Sequence, residues 1–352
     1  MKFGLFYLPT HMPAQIDEAT HIDNMVEQVC YADEIGIDYA WFVEHHFVRH
    51  GGLSSAPFSM LSYLAGRTRN IRLGTGATVL PLNDPIRVAE STAVLDHLSG
   101  GRADLGIGRG FLRDEFDAFG VPMRETRERL EDGISLVRQA WTGEPVHYSG
   151  PFRPPIEGLR VLPTPRQQPN PPIWVACLMS PESFEWTAKE GYNLLYVAYH
   201  VDGATAAQRI GWYTDALVKS GRRVEDHEVA CVYHAHFLDQ PDDAALRSVV
   251  DRPMGEYTAA GVEAATKAPD PIAYKGYAAR EDYQRQSSFE LYYPDRVLMG
   301  ARDQVLTRLE QMARMGITQV GMLVDFGSLP QAEIMRSLEI FGRDILPEAR
   351  RI

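Results

Sequence analysis

The residues best suited to chemistry lie in four short segments: EHHF (Glu44–Phe47), GTGATV from Gly74, GRGF around Arg109, and MSPES from Met179 to Ser183. EHHF sets a carboxylate beside two imidazoles, groups able to serve general acid–base work near neutrality. It follows the apolar run DYAWFV, so it falls at the carboxyl end of a strand, where His45 and His46 point to opposite faces and one of them faces inward. No third ligand accompanies the pair, so it does not make a metal site unaided. Arg109 stands between Gly108 and Gly110, where the apolar strand ADLGIG runs out into RGFLRDEFDAFG, a glycine-started loop rich in charge. The two glycines let backbone approach a bulky ligand. Ser180 reads as a helix N-cap and Ser183 falls in the first turn, where free N–H groups and the positive end of the helix favour an anion. Arg109 could supply the balancing cation. Gly74 and Gly76 weaken a strand unless another group, such as a flat aromatic ring, approaches the backbone. Taken singly, each segment also reads as ordinary structure: a histidine pair, a bulge, a tight turn, a capped helix.

What must position these groups is an alternation of strands and helices. Strand candidates are Lys2–Leu8, Asp38–Glu44, Ile71–Leu80, Ala103–Gly108, Ile173–Cys177, Asn193–Ala198, Glu228–Leu238 and Thr318–Asp325. Helix candidates lie near Glu18–Ile35, Pro57–Arg69, Pro85–Leu98, Arg124–Trp141, Pro181–Glu190, Ala204–Ser220, Asp242–Ala260, Asp303–Met315 and Pro330–Phe341. Eight apolar strands with intervening helices are the count of a closed parallel barrel, a (β/α)8 TIM barrel whose active groups gather where the strands end. Residues 1–352 read as a single domain with insertions near 143–172, which is proline-rich, and 267–295, which is rich in tyrosine and charge. With Tyr274, Tyr277 and Tyr283, the second insertion is expected to act as a lid. Phe111, Leu112, Trp41, Tyr199 and Met179 suggest a largely apolar pocket.

The 352 residues are 45% hydrophobic and 23% charged, the composition of an ordinary globular enzyme. A net charge of −12 argues against nucleic acid and anionic membranes as partners. No apolar run is long enough to span a bilayer, and the first residues lack a signal-peptide pattern. Cys30, Cys177 and Cys231 are widely spaced and form no CxxC, which fits a reducing cytoplasm. GxxxxGK[ST], a dinucleotide-binding GxGxxG, GxSxG and HExxH are all missing.

Together, EHHF, GTGATVLPLNDPIRVAE, LSGGRADLGIGRGFLRDEFDAFG and CLMSPESFEWTAKEG occur in the order found in bacterial luciferase-like monooxygenases, and the sequence resembles their luciferase α-subunit branch over essentially its whole length. The resemblance implies a TIM barrel that uses reduced flavin mononucleotide (FMN) delivered by a separate flavin reductase. Molecular oxygen would add at the flavin C4a carbon, and the resulting peroxyflavin would oxygenate a small organic substrate. It implies an acid/base role for His45, a cis peptide at Gly76-Ala77 behind the flavin ring, and a phosphate contact from Arg109. Glu182 and Ser183 would hold the phosphate from the other side, so that the cofactor lies against Gly76, Ala77, Gly108, Arg109, Met179, Ser180, Glu182 and Ser183. A homodimer is expected. Three positions depart from luciferase: Gly108 in place of a reactive cysteine, Trp186 in place of a hydroxyl residue of the phosphate site, and Asp84 in place of a histidine. Two alternatives stay open: a deazaflavin-dependent hydride-transfer enzyme, and a non-catalytic flavin-binding subunit.

Overall fold

The computed structural model describes residues 1–267, 269, 270, 274 and 289–352. Eight parallel strands form the barrel: β1 (Lys2–Tyr7), β2 (Tyr39–Phe42), β3 (Arg72–Thr75), β4 (Ala103–Gly108), β5 (Ile173–Cys177), β6 (Asn193–Val197), β7 (Val229–Leu238) and β8 (Gln319–Leu323). Each pairs with the next, and β8 returns to β1 with Lys2 opposite Gln319. This is the expected TIM barrel. Closure pairs these eight strands in a ring and leaves an interior that side chains must fill. Trp41 and Trp174 fill it, with ring centroids 5.2 Å apart edge to face, and Tyr39 stacks on Trp41. Among them sits the fully buried Asp104, which accepts from Arg72 Nε at 2.6 Å and from Trp174 Nε1 at 2.9 Å. Burial pushes its carboxyl up to about 6 against the pull of Arg72.

Most helices begin and end where the sequence signals place them. α1 (Glu18–Ile35) is capped by Asp17, which accepts from Thr20 N, and ends at Gly36 with φ 87°. α2 (Pro57–Ala65) and α3 (Pro85–Ser99) open on proline, and α3 closes on Gly100 in the left-handed region. Asp84 is the α3 cap, accepting from Ile86 N and Arg87 N, so it serves that helix end and not the barrel mouth.

Four features differ from the sequence expectation, three of them before β5. The third strand is not continuous over Ile71–Leu80. It stops at Thr75, passes a cis peptide at Gly76-Ala77, and resumes as the two-residue strand Thr78–Val79. The group that approaches Gly74 is the Trp41 ring, since a Cβ there would lie 2.2 Å from it. The stretch after Arg109, expected as loop, contains α4 (Arg113–Phe119). The 143–172 excursion follows α5 (Thr126–Trp141) and folds a small antiparallel hairpin, Val146–Tyr148 with Ile156–Leu159.

The remaining α-helices among the described residues are α6 (Pro181–Glu190), α7 (Gly203–Lys219), α8 (Asp243–Ala264), α9 (Phe289–Tyr292), α10 (Arg302–Arg314), α11 (Gln331–Ile340) and α12 (Leu346–Ala349). An unexpected strand, Val297–Ala301, pairs with the far half of β7. Tyr277 and Tyr283 of the expected lid lie outside the described residues. No helix of the described residues is long and apolar enough to cross a membrane.

Candidate active site

A cavity of about 400 Å³ opens at the carboxyl ends of the strands. Leu8 after β1, Val43–His45 after β2, Gly76 and Ala77 after β3, Gly108–Phe111 at the end of β4, Ala176 and Leu178–Ser180 at β5, and Val197, Tyr199 and His200 at β6 all line it. It thus gathers His45, Gly76, Ala77, Gly108, Arg109, Met179, Ser180, Glu182 and Ser183 into one space. Of the apolar candidates, Phe111, Tyr199 and Met179 line the cavity. Leu112 and Trp41 are buried in the core instead. Trp186 faces away and packs edge to face on Tyr192 at 5.7 Å, so its replacement of a hydroxyl residue leaves the cavity untouched.

His45 and His46 diverge as strand geometry requires. His45 lines the cavity, and its Nδ1 lies 3.0 Å from Oε1 of Glu115. Glu115 is fully buried on α4 and also accepts from the backbone N–H of His46 at 2.8 Å. A carboxylate there accepts a hydrogen bond from Nδ1–H and leaves Nε2 as the exchanging nitrogen, so α4 fixes both ring orientation and tautomer. His46 turns outward to Glu44 and packs edge to face on Phe119. Its hydrogen bond with Glu44 raises its pKa above the usual value, against the effect of burial. Glu44 also accepts from Val79 N at 2.8 Å and from Asn83 Nδ2, while its own N–H donates to Ala77 O. The chain on either side of the Gly76-Ala77 peptide is therefore tied to the strand that carries His45.

On the β4–β5 side two arginines, Arg109 and Arg127, line the cavity. Arg109 donates from Nη2 to Thr126 Oγ1 at 3.2 Å and stacks over the Tyr274 ring at 4.6 Å; Thr126 and Tyr274 are themselves joined through their hydroxyls at 3.0 Å. Arg127 donates to Ser183 Oγ at 3.5 Å. Burial first, and then the charge of Arg109, lowers the Arg127 pKa. Arg127 occupies the first turn of α5, where the helix end is itself positive, so the fold concentrates positive potential here. Across from it, Ser180 does not cap α6 through its side chain; its hydroxyl pairs with that of Ser183 at 2.8 Å. Two cations, two hydroxyls and a helix start make a seat for a dianion such as a phosphate ester. A Cβ on Gly108 would find only ordinary contacts with Ala77 and Ala176, so Gly108 leaves room rather than relieving a clash.

Sequence reasoning missed Glu115, Arg124 and Arg127. In RGFLRDEFDAFG, Glu115 is one of several acidic residues, and nothing local marks it as the buried one. Arg124 and Arg127 lie in RETRER, which reads as a solvated face; only their placement at the start of a helix, 15 and 18 residues after Arg109, was available as a signal.

Over residues 1–319 the sequence matches the luciferase-like monooxygenases, and the chain belongs to that family. It is accordingly an enzyme of the monooxygenase class. The oxygenase component of a flavin-dependent trigonelline monooxygenase from Acinetobacter baylyi is 28% identical, with 99% of this chain and 95% of that protein aligned. An alkanal monooxygenase alpha chain from Photorhabdus luminescens is 29% identical over 79% of this chain and 75% of its own length. Among solved structures, a monooxygenase from Streptomyces bottropensis superposes with a TM-score of 0.79 at 29% identity, covering 99% of both chains. The oxygenating constituent of 3,6-diketocamphane monooxygenase from Pseudomonas putida, in complex with FMN, shares the fold with a TM-score of 0.81 at 19% identity, over 99% of this chain and 98% of that one.

Proposed function

We propose that this chain is the oxygenase of a two-component system: it takes reduced FMN from a separate reductase and uses molecular oxygen to oxidise a carbonyl of, or hydroxylate, a small organic molecule. The observation that carries this reading is one cavity joining the Arg109–Arg127–Ser180–Ser183 seat to the His45–Glu115 pair. The residues present fit the cofactor. A phosphate ester is the anion that two guanidiniums and a helix start satisfy, and Gly76, Ala77 and Gly108 leave open wall beside it. When bound, the flavin supplies the reducing equivalents and activates oxygen. Arg109 and Arg127 neutralise the phosphate, with Thr126 and Tyr274 holding the Arg109 guanidinium in place. Glu115 orients His45, whose Nε2 gives or takes the proton that oxygen transfer requires. The trigonelline relative's description as an oxygenase component supports a partner reductase. We read residues 1–352 as one domain with two insertions. Exposed Tyr63 on α2 and Val94 and Leu98 on α3 support a homodimer, and three free cysteines suit the cytoplasm.

Anaerobic loading with reduced FMN, followed by rapid mixing with oxygen, tests the proposal. Bound reduced FMN should reoxidise with hydrogen peroxide release slower than that of free reduced FMN. Failure to bind, or peroxide release at the free rate, contradicts it. Binding of a reduced deazaflavin in its place would assign hydride transfer instead.

A further inference from the structure

The Ser180–Ser183 side of the cavity depends on the turn that carries it. Leu178, Met179 and Ser180 line the cavity where β5 runs into α6, with the Ser180–Ser183 hydroxyl pair beside them. Ser180 makes no side-chain cap to α6, and the turn closes on itself through Ser183 N, which donates to Ser180 O at 3.0 Å. Among the described residues, one side chain alone donates to the backbone of Leu178, Met179 or Ser180. It is Arg209 of α7, whose Nη1 lies 2.7 Å from Leu178 O. The same nitrogen reaches the Tyr196 hydroxyl of β6 at 3.3 Å.

The partners of this half-buried arginine are a carbonyl and a phenol, and no aspartate or glutamate of the described residues stands within ion-pair distance of it. Asp202, at the start of α7, instead caps that helix and accepts from Thr205 N at 2.8 Å. A guanidinium without a carboxylate beside it keeps its positive potential, which here falls on the turn in front of it. Tyr196 fixes the arginine in turn. It is fully buried, pairs in register with Cys177 at the end of β5, and meets Phe184 of α6 edge to face at 5.3 Å. Phe184 also meets Trp212 of α7 at 5.7 Å. Phe184 thus anchors the first turn of α6 through apolar contact, and Arg209 anchors the residues before it through a charged hydrogen bond.

We propose that Arg209 is a positioning residue for phosphate binding. From behind the cavity wall it holds the β5–α6 turn so that the Ser180 and Ser183 hydroxyls and the start of α6 meet the anion already in place, and its charge adds to that of Arg109 and Arg127. The assignment rests on reading the Arg109–Ser183 side as the flavin phosphate seat. Arg209 is not among the residues lining the cavity, so it acts through Leu178 and not by touching the phosphate. Donors aimed at an anion hold it best when their backbone does not have to reorganise on binding. A helix start presented by a loose turn would lose that advantage, and the hydrogen bond to Leu178 O removes the looseness.

Two measurements test this. In flavin-free protein, hydrogen–deuterium exchange of peptides spanning residues 178–183 should be about tenfold faster in Arg209→Gln than in the parent, with the barrel strands unchanged, because one charge-assisted hydrogen bond no longer restrains the turn. In anaerobic titrations, the preference for reduced FMN over reduced riboflavin should fall about tenfold in Arg209→Gln while riboflavin affinity holds. Arg209→Lys keeps the charge and a donor and should recover part of that preference. A merely structural role would weaken both flavins alike and lower the denaturation midpoint without moving their ratio. The proposal is overturned if Arg209→Gln keeps the parent's preference, or if its turn exchanges at the parent's rate. A parent without any preference for FMN contradicts the phosphate reading instead, and the exchange rates then still decide whether Arg209 holds the turn.

Discussion

At the residue scale, the account turns on Glu115 and His45. A histidine at a cavity wall exchanges protons with either ring nitrogen unless something fixes one of them, and the buried carboxylate 3.0 Å from Nδ1 does so. His45→Ala should lower oxygenated product about 10²–10⁴-fold, the usual range for a general acid–base group. Glu115→Gln should fall between about tenfold and that loss. It should act on kcat and leave flavin affinity in place, with Glu115→Asp recovering part of the rate. Single-turnover product analysis with each loaded variant measures this. A Glu115→Gln protein with undiminished kcat would assign the carboxylate to holding α4 alone.

At the scale of elements, the junction between β3 and β4 positions the site. Thr75 Oγ1 donates to Gly106 O at 2.7 Å and accepts from Gly106 N at 3.0 Å, just before the Gly76-Ala77 peptide. A Cβ on Gly106 would lie 2.0 Å from Thr75 O, a backbone atom that cannot move without the strand. Gly106→Ala should therefore destabilise by about 1–3 kcal/mol or more, read by chemical denaturation, whereas Gly108→Ala should be nearly neutral. These elements were unequally legible. The strands stood out because both faces of a barrel strand are covered, so each reads as an apolar run. α1, α3 and α6 were legible from Asp17, Pro85, Pro181 and the glycines that follow them. The break in β3 was not, because ATVLPL continues the apolar pattern of IRLGTG without interruption. α4 was hidden because Arg113–Phe119 spans only seven residues, too few for a 3.6-residue period to show. The strand Val297–Ala301 was hidden because it follows the tyrosine-rich insertion and pairs only with the far half of β7. Of the site, His45, Arg109 and the Ser180–Ser183 turn could be found from local pattern. Glu115 and Arg127 act through contacts 56 to 70 residues away, which no local pattern records.

At the scale of the whole molecule, the two ends of the chain are locked where the barrel closes. His21 on α1 and Asp325 after β8 are both buried, with Nε2 3.1 Å from Oδ2. The His21 pKa is raised: burial lowers it, but the hydrogen bond and charge of Asp325 outweigh that. A folded pKa above the unfolded value of about 6.5 means that the protonated pair stabilises fully below about pH 6.5, and that this contribution is lost as pH rises through the folded pKa. His21→Gln should therefore cost most stability at the low end of pH 6 to 8, so that its denaturation midpoint has a more positive slope against pH than the parent's, the opposite contribution of the buried neutral His234 and His236 being common to both. An unchanged slope would place the pH dependence elsewhere. The most direct test of the account as a whole compares reduced FMN with reduced riboflavin, which lacks the phosphate, in anaerobic titrations of the parent protein, Arg109→Ala and Arg127→Ala. Charge-assisted phosphate contacts of about 1.5–3 kcal/mol each predict that the parent prefers FMN by about tenfold or more, and that each substitution shrinks the preference while riboflavin binding holds. Equal affinity for the two flavins in the parent, or a preference untouched by either substitution, would contradict it.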